Sequence, residues 1–506
     1  APNAVSPELA LVIRAQGSML LENPASPAKY YGYADDRPNL LPPLGSNLEA
    51  TKTEPDKNTY LVLRGQRGAD PAYDYGTHFL FQGHENGPGS PKRGYITRVN
   101  LDADGAHRVT LMATTDVNGQ PLPTFDGSTW YPWAQRLLFT AENGKAGGVW
   151  QATLDVPSKV EDISGVTGRG GYEGIQADSA GNLWIVEDVG GPTGKVNTAA
   201  RQPNSFIYRL VPVDKTNLEA GGKLQVLAVK SKAHAGNVVF GTDPDADILS
   251  QDVRDLHTYG LAFETTWITI HDTAVDGTTP FDANAAAKAK GGTPFKRPEN
   301  GVFRPGTQFG EFYFTETGDT NANTQAGSAF GGFGGLFKLA QRRPSDDYGT
   351  LTLFYLGDVQ HTGLDNIQFL TKDHLVAVED AGDGLHTQRN ALDSAYLFDV
   401  RLDFADPANQ PLRFLAQGRD PSATIDSGLS GTPGFQNDGD NEITGFHVSD
   451  GDPTPGGILG ARNPHPFDDK WRVFYTQQHG DNITFEIIPN PHVAEAIRGR
   501  EDDDRD

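Results

Sequence analysis

Short apolar and aromatic segments alternate with polar breaks along the whole chain. The segments are rich in Val, Ile, Leu, Phe and Tyr, and Gly, Asp, Asn or Pro follows most of them. This pattern is typical of β-strands joined by turns. Helix signals are concentrated in residues 281–290 and 491–500. We therefore predict an all-β fold.

Seven of these segments resemble one another, because each is an apolar strand that ends in acidic, His, Gly, Asp or Asn residues. Irregularly spaced repeats of this kind indicate the blades of a β-propeller. Several of the seven segments are preceded by a short polar sequence at the start of an earlier strand. This arrangement is expected for two adjacent strands of one blade. The seven segments are FLFQGHENG (79–87), LLFTAENG (137–144), LWIVEDVGG (183–191), WITIHDTA (267–274), FYFTETGD (312–319), LVAVEDAGD (375–383) and VFYTQQHGD (473–481).

The repeats predict a single large β-propeller domain over residues 1–506, with seven blades as the first interpretation and six as the alternative. A row of β-sandwiches is the competing architecture, but it would leave edge strands exposed that a closed ring pairs. The remaining residues are assigned to irregular insertions and to an acidic tail. The insertions are predicted at about 192–253, 275–295, 320–345 and 384–440, and the tail at 499–506.

The amino-acid composition limits the classes of partner that the chain could bind. The 506 residues contain 66 Asp and Glu against 42 Lys and Arg, which gives a net charge of −24. Such a chain is repelled by nucleic acids and by anionic membranes, and no apolar stretch is long enough to span a bilayer. The absence of Cys excludes thiolate metal sites, iron–sulfur clusters and thiol nucleophiles. We expect a monomer that binds a small molecule, with no nucleic-acid or membrane partner.

The chain also has features of an exported bacterial protein. It begins Ala-Pro-Asn-Ala without an initiator Met, contains no Cys and carries excess acid. These features suit a mature protein in calcium-containing surroundings. The expected location is periplasmic or secreted.

Residues that open the inner strands of a propeller converge at the mouth of the central channel. A mixture of carboxylate and imidazole fits Mn, Fe or Zn, whereas clustered carboxylates fit Ca. Each residue alone is also explained as a strand cap. The residues of metal-ligand type at such positions are Glu173, His257, Glu299, His361, Asp365, Glu379, Glu442 and His479. Arg254, Arg297 and Arg304 lie beside them in sequence and could bind a phosphoryl group or form structural ion pairs.

Eight segments resemble, in the same order, landmarks of the bacterial PhoX-type alkaline phosphatases. The resemblance implies an exported β-propeller hydrolase that cleaves phosphate esters with iron and calcium ions at the propeller mouth. It matches Glu142, Glu173, Glu299 and Glu379 to acidic phrases of the family, and places Asp365 and His479 within matched motifs. The segments are GHEN (83–86), DGSTWYPW (126–133), FKRPENGVF (295–303), TETGD (315–319), LDNIQF (364–369), VEDAGD (378–383), NEITGFHVSDG (441–451) and YTQQHG (475–480).

The sequence departs from that family at one important position. The family's iron centre uses a Cys near the second landmark, and here Asp126 stands close to that place. A carboxylate there favours harder or borderline metals such as Mn, Ca or Zn. The chain is also similar to propeller phosphotriesterases with a binuclear Mn-type centre, for which the implied ligands are His257, His361, Glu379 and His479.

The sequence therefore predicts a metal-dependent phosphoester hydrolase, with a binuclear transition-metal centre of Mn, Fe or Zn and with Ca. Whether the substrate is a phosphomonoester or a phosphotriester stays open at this point. Two other hypotheses remain: a calcium-dependent lactonase or esterase of propeller type, and a non-catalytic propeller that binds a ligand.

Overall fold

Antiparallel strands form six four-stranded units in the part of the chain that the structure describes. The structure is a computed structural model, and it describes residues 3–26, 28–34, 40, 50–85, 94–418, 442–468, 470–478 and 481–493. The all-β prediction is confirmed, since strands alternate with short turns from β1 to β28. The α-helices are short, and each contains eight residues or fewer where the chain is described.

The N-terminal half supplies four strands that precede the first blade and then blades 1 to 3. The preceding strands are β1 (Ala4–Val5), β2 (Leu9–Ala15), β3 (Leu20–Ala25) and β4 (Ala28–Tyr30). Blade 1 contains β5 (Thr59–Val62), β6 (His78–Gly83), β7 (Ile96–Asn100) and β8 (Val109–Ala113). Blade 2 contains β9 (Ser128–Tyr131), β10 (Arg136–Ala141), β11 (Gly148–Ala152) and β12 (Val160–Asp162). After α1 (Ser164–Thr167), blade 3 contains β13 (Tyr172–Ala177), β14 (Leu183–Glu187), β15 (Ile207–Pro212) and β16 (Gly222–Val229).

The C-terminal half begins with α2 (Pro244–Ile248), α3 (Gln251–Leu256), β17 (Ala262–Asp272), α4 (Thr273–Asp276) and α5 (Ala283–Lys290). Blade 4 contains β18 (Gly301–Phe303), β19 (Glu311–Glu316), β20 (Gly335–Ala340) and β21 (Tyr348–Leu356). Blade 5 contains β22 (Leu364–Phe369), β23 (His374–Glu379), β24 (Ser394–Asp399) and β25 (Leu412–Ala416), with α6 (Gly382–Arg389) between its second and third strands. Blade 6 contains β26 (Glu442–Ser449), β27 (Arg472–Gln478) and β28 (Ile483–Pro489).

The first strand of each blade lies on the inside of a closed ring. These inner strands contact one another in the order β5, β9, β13, β18, β22, β26 and back to β5. The N-terminal strand β2 completes blade 6 by pairing with β28, and β1 extends blade 5 by pairing with β25. Because the start of the chain pairs with its last strands, the ring closes through hydrogen bonds.

The prediction of seven blades is wrong for the described residues, which form six. The extra repeat, WITIHDTA, is β17, an 11-residue strand that pairs with the outer strands β16 and β21. It joins blades 3 and 4 at their outer edges into one nine-stranded sheet. The repeat was defined by an apolar run ending in His-Asp, and this composition does not distinguish an outer strand from a strand near the axis.

Three of the four predicted insertions also contain blade strands. Residues 192–253 include β15 and β16, residues 320–345 include β20, and residues 384–440 include β24 and β25. These strands have five to eight residues and alternate with long polar segments, which dominate the composition of each range. Residues 275–295 do lie between blades and form α5. The predicted tail at 499–506 lies outside the described residues.

The hydrophobic core is distributed between neighbouring blades. Between blades 3 and 4, for example, the ring of Trp184 packs edge-on against Trp267 and Phe303, with centroids 5.0 Å apart in each case. Similar buried clusters occupy the other interfaces, such as Tyr131, Leu138 and Ile175 between blades 2 and 3. Packing of sheet on sheet around the ring holds the inner strands in fixed positions.

Candidate metal centre at the propeller axis

Each inner strand carries an acidic residue at or just before its first residues. Because the inner strands lie side by side in one ring, these side chains converge at one end of the axis. Asn300 joins three blades there, since its Nδ2 donates to Glu173 Oε1 at 2.7 Å and to Asp365 Oδ1 at 3.1 Å. The six acids, one from each blade, are Asp56, Asp126, Glu173, Glu299, Asp365 and Glu442.

Glycine next to two of these acids allows the inner strands to approach closely. A Cβ atom on Gly127 would lie 1.9 Å from the carbonyl oxygen of Glu173, and one on Gly174 would lie 2.8 Å from Asn300 Cα. No side chain fits at such distances. The acid-glycine phrases of the sequence therefore have a structural cause, because each places a carboxylate where two backbones nearly touch.

A second set of acids follows the second strand of several blades. Antiparallel pairing places the end of each second strand beside the start of its inner strand. The acids of this second set are Glu85, Glu142, Asp188 and Asp380. We call both sets together the axial carboxylates.

Two groups of axial carboxylates are close enough to share a cation. In each group, one oxygen from every member lies within 4.8 Å of the others. The first carboxylate group is Glu142, Glu173, Asp188 and Glu299, and the second carboxylate group is Asp56, Glu85 and Asp126.

Burial and mutual repulsion raise the pKa values of several axial carboxylates, with Glu173 and Glu299 as examples from the first group. Burial is the main cause at Glu299, whose pKa rises to about 8, and the charge of Asp188 adds to it. Burial likewise raises the pKa of Glu173 well above its ordinary value, with further contributions from Asp126 and Glu299. Carboxylates in such surroundings either retain protons or bind a cation.

One oxygen of Glu173 is the best indication that a cation belongs here. The residue is 3% exposed, and no group in the described part of the chain donates a hydrogen bond to its Oε2, although Oε1 accepts from Asn300. A buried carboxylate oxygen without a partner is costly unless something binds it. The clustered donors are carboxylate oxygens, which suit hard cations such as Ca²⁺, Mg²⁺ and Mn²⁺. The residues present therefore fit a metal centre of that type.

Arg297 brings a positive charge to the edge of the first carboxylate group. Its Nη2 lies 2.8 Å from Asp188 Oδ2 and 3.2 Å from Glu299 Oε1, and its Nη1 donates to Thr320 Oγ1 at 3.3 Å. Although burial alone would lower its pKa, Asp188 and Glu299 raise it. The backbone of Arg297 has φ +55°. Residues other than Gly seldom adopt this conformation, and it is often found at functional sites.

Lys57 brings a second positive charge into the interior of the centre. It directly precedes Asn58 at the start of blade 1 and is 2% exposed. Its Nζ donates to Asn300 Oδ1, on the opposite side of the amide that binds Glu173 and Asp365. The centre thus combines carboxylates from all six blades with an ammonium and a guanidinium group.

The structure brings six of the predicted site residues to this end of the axis, and Glu442 at the start of β26 is one of them. Glu142, Glu173 and Glu299 are in the first carboxylate group, and Arg297 contacts it. Asp365 contacts Asn300 and accepts from Asn366 Nδ2 at 2.9 Å. Their roles as ligands or as a phosphoryl-binding group stay predictions.

Glu379 is instead engaged in a buried ion pair, and His257 in a buried hydrogen bond. Glu379 Oε1 accepts from Arg389 Nη1 at 2.8 Å. The Nε2 atom of His257 lies 2.6 Å from Glu316 Oε2, and its Nδ1 lies 2.7 Å from the carbonyl oxygen of Val253. Both residues are outside the two carboxylate groups, and their roles as metal ligands stay predictions.

His361, Arg254 and Arg304 also lie outside these groups. The Nδ1 atom of His361 is 3.2 Å from Asp358 Oδ1. Arg254 lies in the last turn of α3, and its guanidinium carbon is 6.0 Å from the centre of the Phe330 ring. Arg304 pairs with Glu311 and Asp373 at 3.1 and 2.9 Å. His479 falls outside the described residues, so its prediction is untested.

Several axial residues were not singled out from the sequence. Asp188 and Asp380 each follow a buried Glu in the repeated Val-Glu-Asp phrase, and the second acid of each phrase is the axial one. Asp56 and Glu85 join Asp126, the residue near the expected Cys position, in the second carboxylate group. The pair of adjacent acids that recurs in two repeats was the sequence feature that could have indicated Asp188 and Asp380.

The chain also contains a cavity of about 510 Å³ between blades 1 and 6, lined by Tyr60, Trp471, Arg472 and Glu486 among others. Tyr60 belongs to β5, whereas the axial residue Asp56 precedes that strand. Arg472 and Glu486 already satisfy one another, with Nη2 to Oε2 at 2.7 Å. The convergence of carboxylates, together with the unpartnered oxygen of Glu173, therefore distinguishes the axial centre from this cavity.

Six blades around a carboxylate-lined axis define a β-propeller with a candidate metal centre. Residues 198–391 match the family model of the alkaline phosphatase PhoX, which confirms the predicted resemblance over that segment. The matched segment contains Arg297, Glu299, Asp365 and Asp380. The match supports a phosphatase-type hydrolase with a small-molecule substrate.

Similar solved structures include two gluconolactonases. XC5397 from Xanthomonas campestris is 8% identical, with 97% of this chain and 95% of that chain covered and a TM-score of 0.40. The periplasmic gluconolactonase PpgL from Pseudomonas aeruginosa is 11% identical, with 95% and 100% covered and a TM-score of 0.34. Sqt1 from Chaetomium thermophilum is 10% identical, with 86% and 100% covered and a TM-score of 0.33. No curated protein matches the chain.

Among the helices that the structure describes, none combines the length and the apolar character needed to cross a bilayer.

Proposed function

We propose that this chain is a metal-dependent phosphate ester hydrolase whose reaction centre lies among the axial carboxylates. The observation that carries the proposal is the buried Glu173 oxygen without a partner, within a group of four close carboxylates and beside the guanidinium of Arg297. The match of residues 198–391 to a phosphatase family supports the same reaction class.

The proposed cations are hard divalent ions, with Ca²⁺ and Mn²⁺ as the first candidates. Glu142, Glu173, Asp188 and Glu299 would hold one site, and Asp56, Glu85 and Asp126 a second. When bound, such ions polarise the phosphoryl group and lower the pKa of a water molecule. A His-rich ligand set is less well supported, because His257 lies 2.6 Å from Glu316 and neither described carboxylate group includes a His.

Arg297 is the proposed phosphoryl-binding side chain. A guanidinium group presents planar donors that match two phosphoryl oxygens. Asp188 binds its Nε and Nη2 atoms, which fixes the plane of the group, and the side chain keeps 20% exposure. The strained backbone at Arg297 supports this role, since the loop positions the side chain at the edge of the carboxylates.

A phosphomonoester is the proposed substrate class. A neutral triester would need an apolar pocket, but the aromatic residues Tyr131 and Tyr172 of blades 2 and 3 belong to the buried core. The hydroxyl of Tyr131 donates to Gly181 O and that of Tyr172 to Thr167 O, each at 2.7 Å, and both side chains are fully buried. Charged groups dominate the centre and suit a charged phosphoryl group. Export to the periplasm or the medium, as a monomer, remains part of the proposal.

The first experiment measures cation content and substrate class together. The purified protein is treated with chelator, reloaded separately with Ca²⁺, Mn²⁺, Zn²⁺ or Fe²⁺, freed of excess metal and counted by elemental mass spectrometry. Each form is then assayed with p-nitrophenyl phosphate, its diester, a diethyl triester and gluconolactone. We expect bound divalent ions and hydrolysis of the monoester. Lactone hydrolysis without phosphate ester hydrolysis would support the lactonase hypothesis instead.

Glu173→Gln tests the position of the centre. We expect this variant to bind fewer cations and to lose at least about 100-fold in kcat, the scale of loss seen when a group that stabilises the transition state is removed. Glu264→Gln is the matched control, because its carboxylate is 81% exposed on β17. Unchanged cation content and activity in Glu173→Gln would place the centre elsewhere.

A further inference from the structure

The ammonium group of Lys57 lies inside the candidate centre without a direct carboxylate partner. Its side chain is nearly fully buried, and Nζ donates to the amide oxygen of Asn300. Within the described part of the chain, Nζ forms no ion pair with a carboxylate, and its acceptor is Asn300 Oδ1. A buried charge of this kind requires nearby opposite charge to be tolerated.

That opposite charge comes from several sides of the axis. Burial lowers the pKa of Lys57, and the charges of nearby carboxylates oppose this effect; in decreasing order they are Asp365, Asp56, Glu173 and Asp126. Glu173 belongs to the first carboxylate group, whereas Asp56 and Asp126 belong to the second. The Lys57 ammonium group therefore interacts electrostatically with carboxylates of both groups. Bound metal ions are the usual source of positive charge in such surroundings.

Asn300 links the ammonium group to the carboxylates by hydrogen bonds. Its oxygen accepts from Lys57, and its Nδ2 donates to Glu173 Oε1 and Asp365 Oδ1. Through this amide, one positive charge is held at a fixed place relative to acids of blades 3 and 5.

We propose that Lys57 is a built-in cation that occupies the place of one divalent ion and thereby limits how many ions the axial centre binds. This inference rests on the proposed function, because it assumes that the axial carboxylates bind metal. Lys57 is a positioning residue in this scheme, and it sets the charge balance of the centre without contacting the substrate.

Lys57→Gln separates the charge from the hydrogen bond. Glutamine keeps a donor that can reach Asn300 but removes the positive charge, and it supplies an oxygen that a metal ion can bind. Lys57→Arg keeps the charge, and Lys230→Gln removes a lysine charge at an exposed ion pair on the surface. Each protein is loaded with CaCl₂ or MnCl₂, freed of excess metal and counted by elemental mass spectrometry, with affinities from calorimetry.

We expect Lys57→Gln to bind one more divalent ion per chain than the wild type, while Lys57→Arg and Lys230→Gln keep the wild-type number. The same number and the same affinities in Lys57→Gln would overturn the inference. If Lys57→Gln does not fold, the double variant Lys57→Gln/Asp365→Asn decides, because it restores the net charge. We then expect a folded protein with the wild-type number of ions, and failure to recover would also contradict the inference.

The wild-type measurement distinguishes the two proposals. A wild-type chain that takes up no divalent ion overturns the proposed function and this inference with it. A wild-type chain that binds ions and hydrolyses phosphate esters, with no change in ion number in Lys57→Gln, overturns only the role of Lys57.

Discussion

Glu379→Gln tests whether the acid at the end of β23 is a metal ligand or one half of a buried ion pair. Glu379 Oε1 and Oε2 accept from Arg389 at 2.8 and 3.1 Å, and Oε2 also accepts from the backbone N–H of Ser394 at 3.0 Å. Neither side chain of the pair is more than 3% exposed. Breaking a buried ion pair by removing one partner costs about 3–5 kcal/mol.

The structure places the expected loss near the lower end of that range. Arg389 retains Asp393, whose Oδ1 lies 3.2 Å from Nη2, so its charge is not left without a partner. We therefore expect Glu379→Gln to lower the free energy of unfolding by about 3 kcal/mol.

The assay is urea unfolding, combined with a count of bound ions by elemental mass spectrometry. The exposed control Glu264→Gln should change the free energy of unfolding by less than about 0.5 kcal/mol. We expect Glu379→Gln to keep the wild-type number of ions. A variant that loses an ion but keeps its stability would refute the ion-pair interpretation and restore Glu379 as a ligand.

Three further predictions follow from the axial centre. Arg297→Lys should lower kcat/KM for a phosphomonoester by about 10- to 100-fold, because a lysine cannot make the two parallel contacts; Arg304→Lys, outside the centre, should not, and equal effects would contradict the assignment. Protein freed of metal by a chelator should lose stability as pH rises from 4.5 to about 8, because folded Glu299 then holds a proton that the unfolded chain has released. Thermal melts over this pH range, with and without Ca²⁺, check this prediction. A melting temperature independent of pH without Ca²⁺ would count against it. Gly127→Ala should weaken cation binding in calorimetry, because its Cβ would lie 1.9 Å from Glu173 O, whereas a Cβ on the control Gly105 meets nothing within 4 Å; equal affinities would show that the strands can separate.

The sequence predicts the propeller and the general place of the acids because both depend on local features. Alternating strands and turns can be recognised in short windows, and Gly127 and Gly174 mark the close approach of inner strands. Glu173 and Glu299, predicted as ligands, do lie in one group. The number of blades is harder to predict, because β17 has the composition of a blade strand and differs only in which strands it pairs with.

The choice between neighbouring acids shows most clearly what the sequence cannot determine. Successive side chains of a strand point to opposite sides, so only one acid of each Val-Glu-Asp phrase faces the axis. Glu187 receives hydrogen bonds from Tyr208 and Asn284, at 2.9 and 3.1 Å, which leaves Asp188 for the first carboxylate group. These partners come from β15 and α5, which follow later in the chain. In the second Val-Glu-Asp phrase, Arg389 of α6 pairs with Glu379, which leaves Asp380 as the axial acid. In both phrases, a distant element that neutralises or hydrogen-bonds the Glu therefore determines which acid is axial.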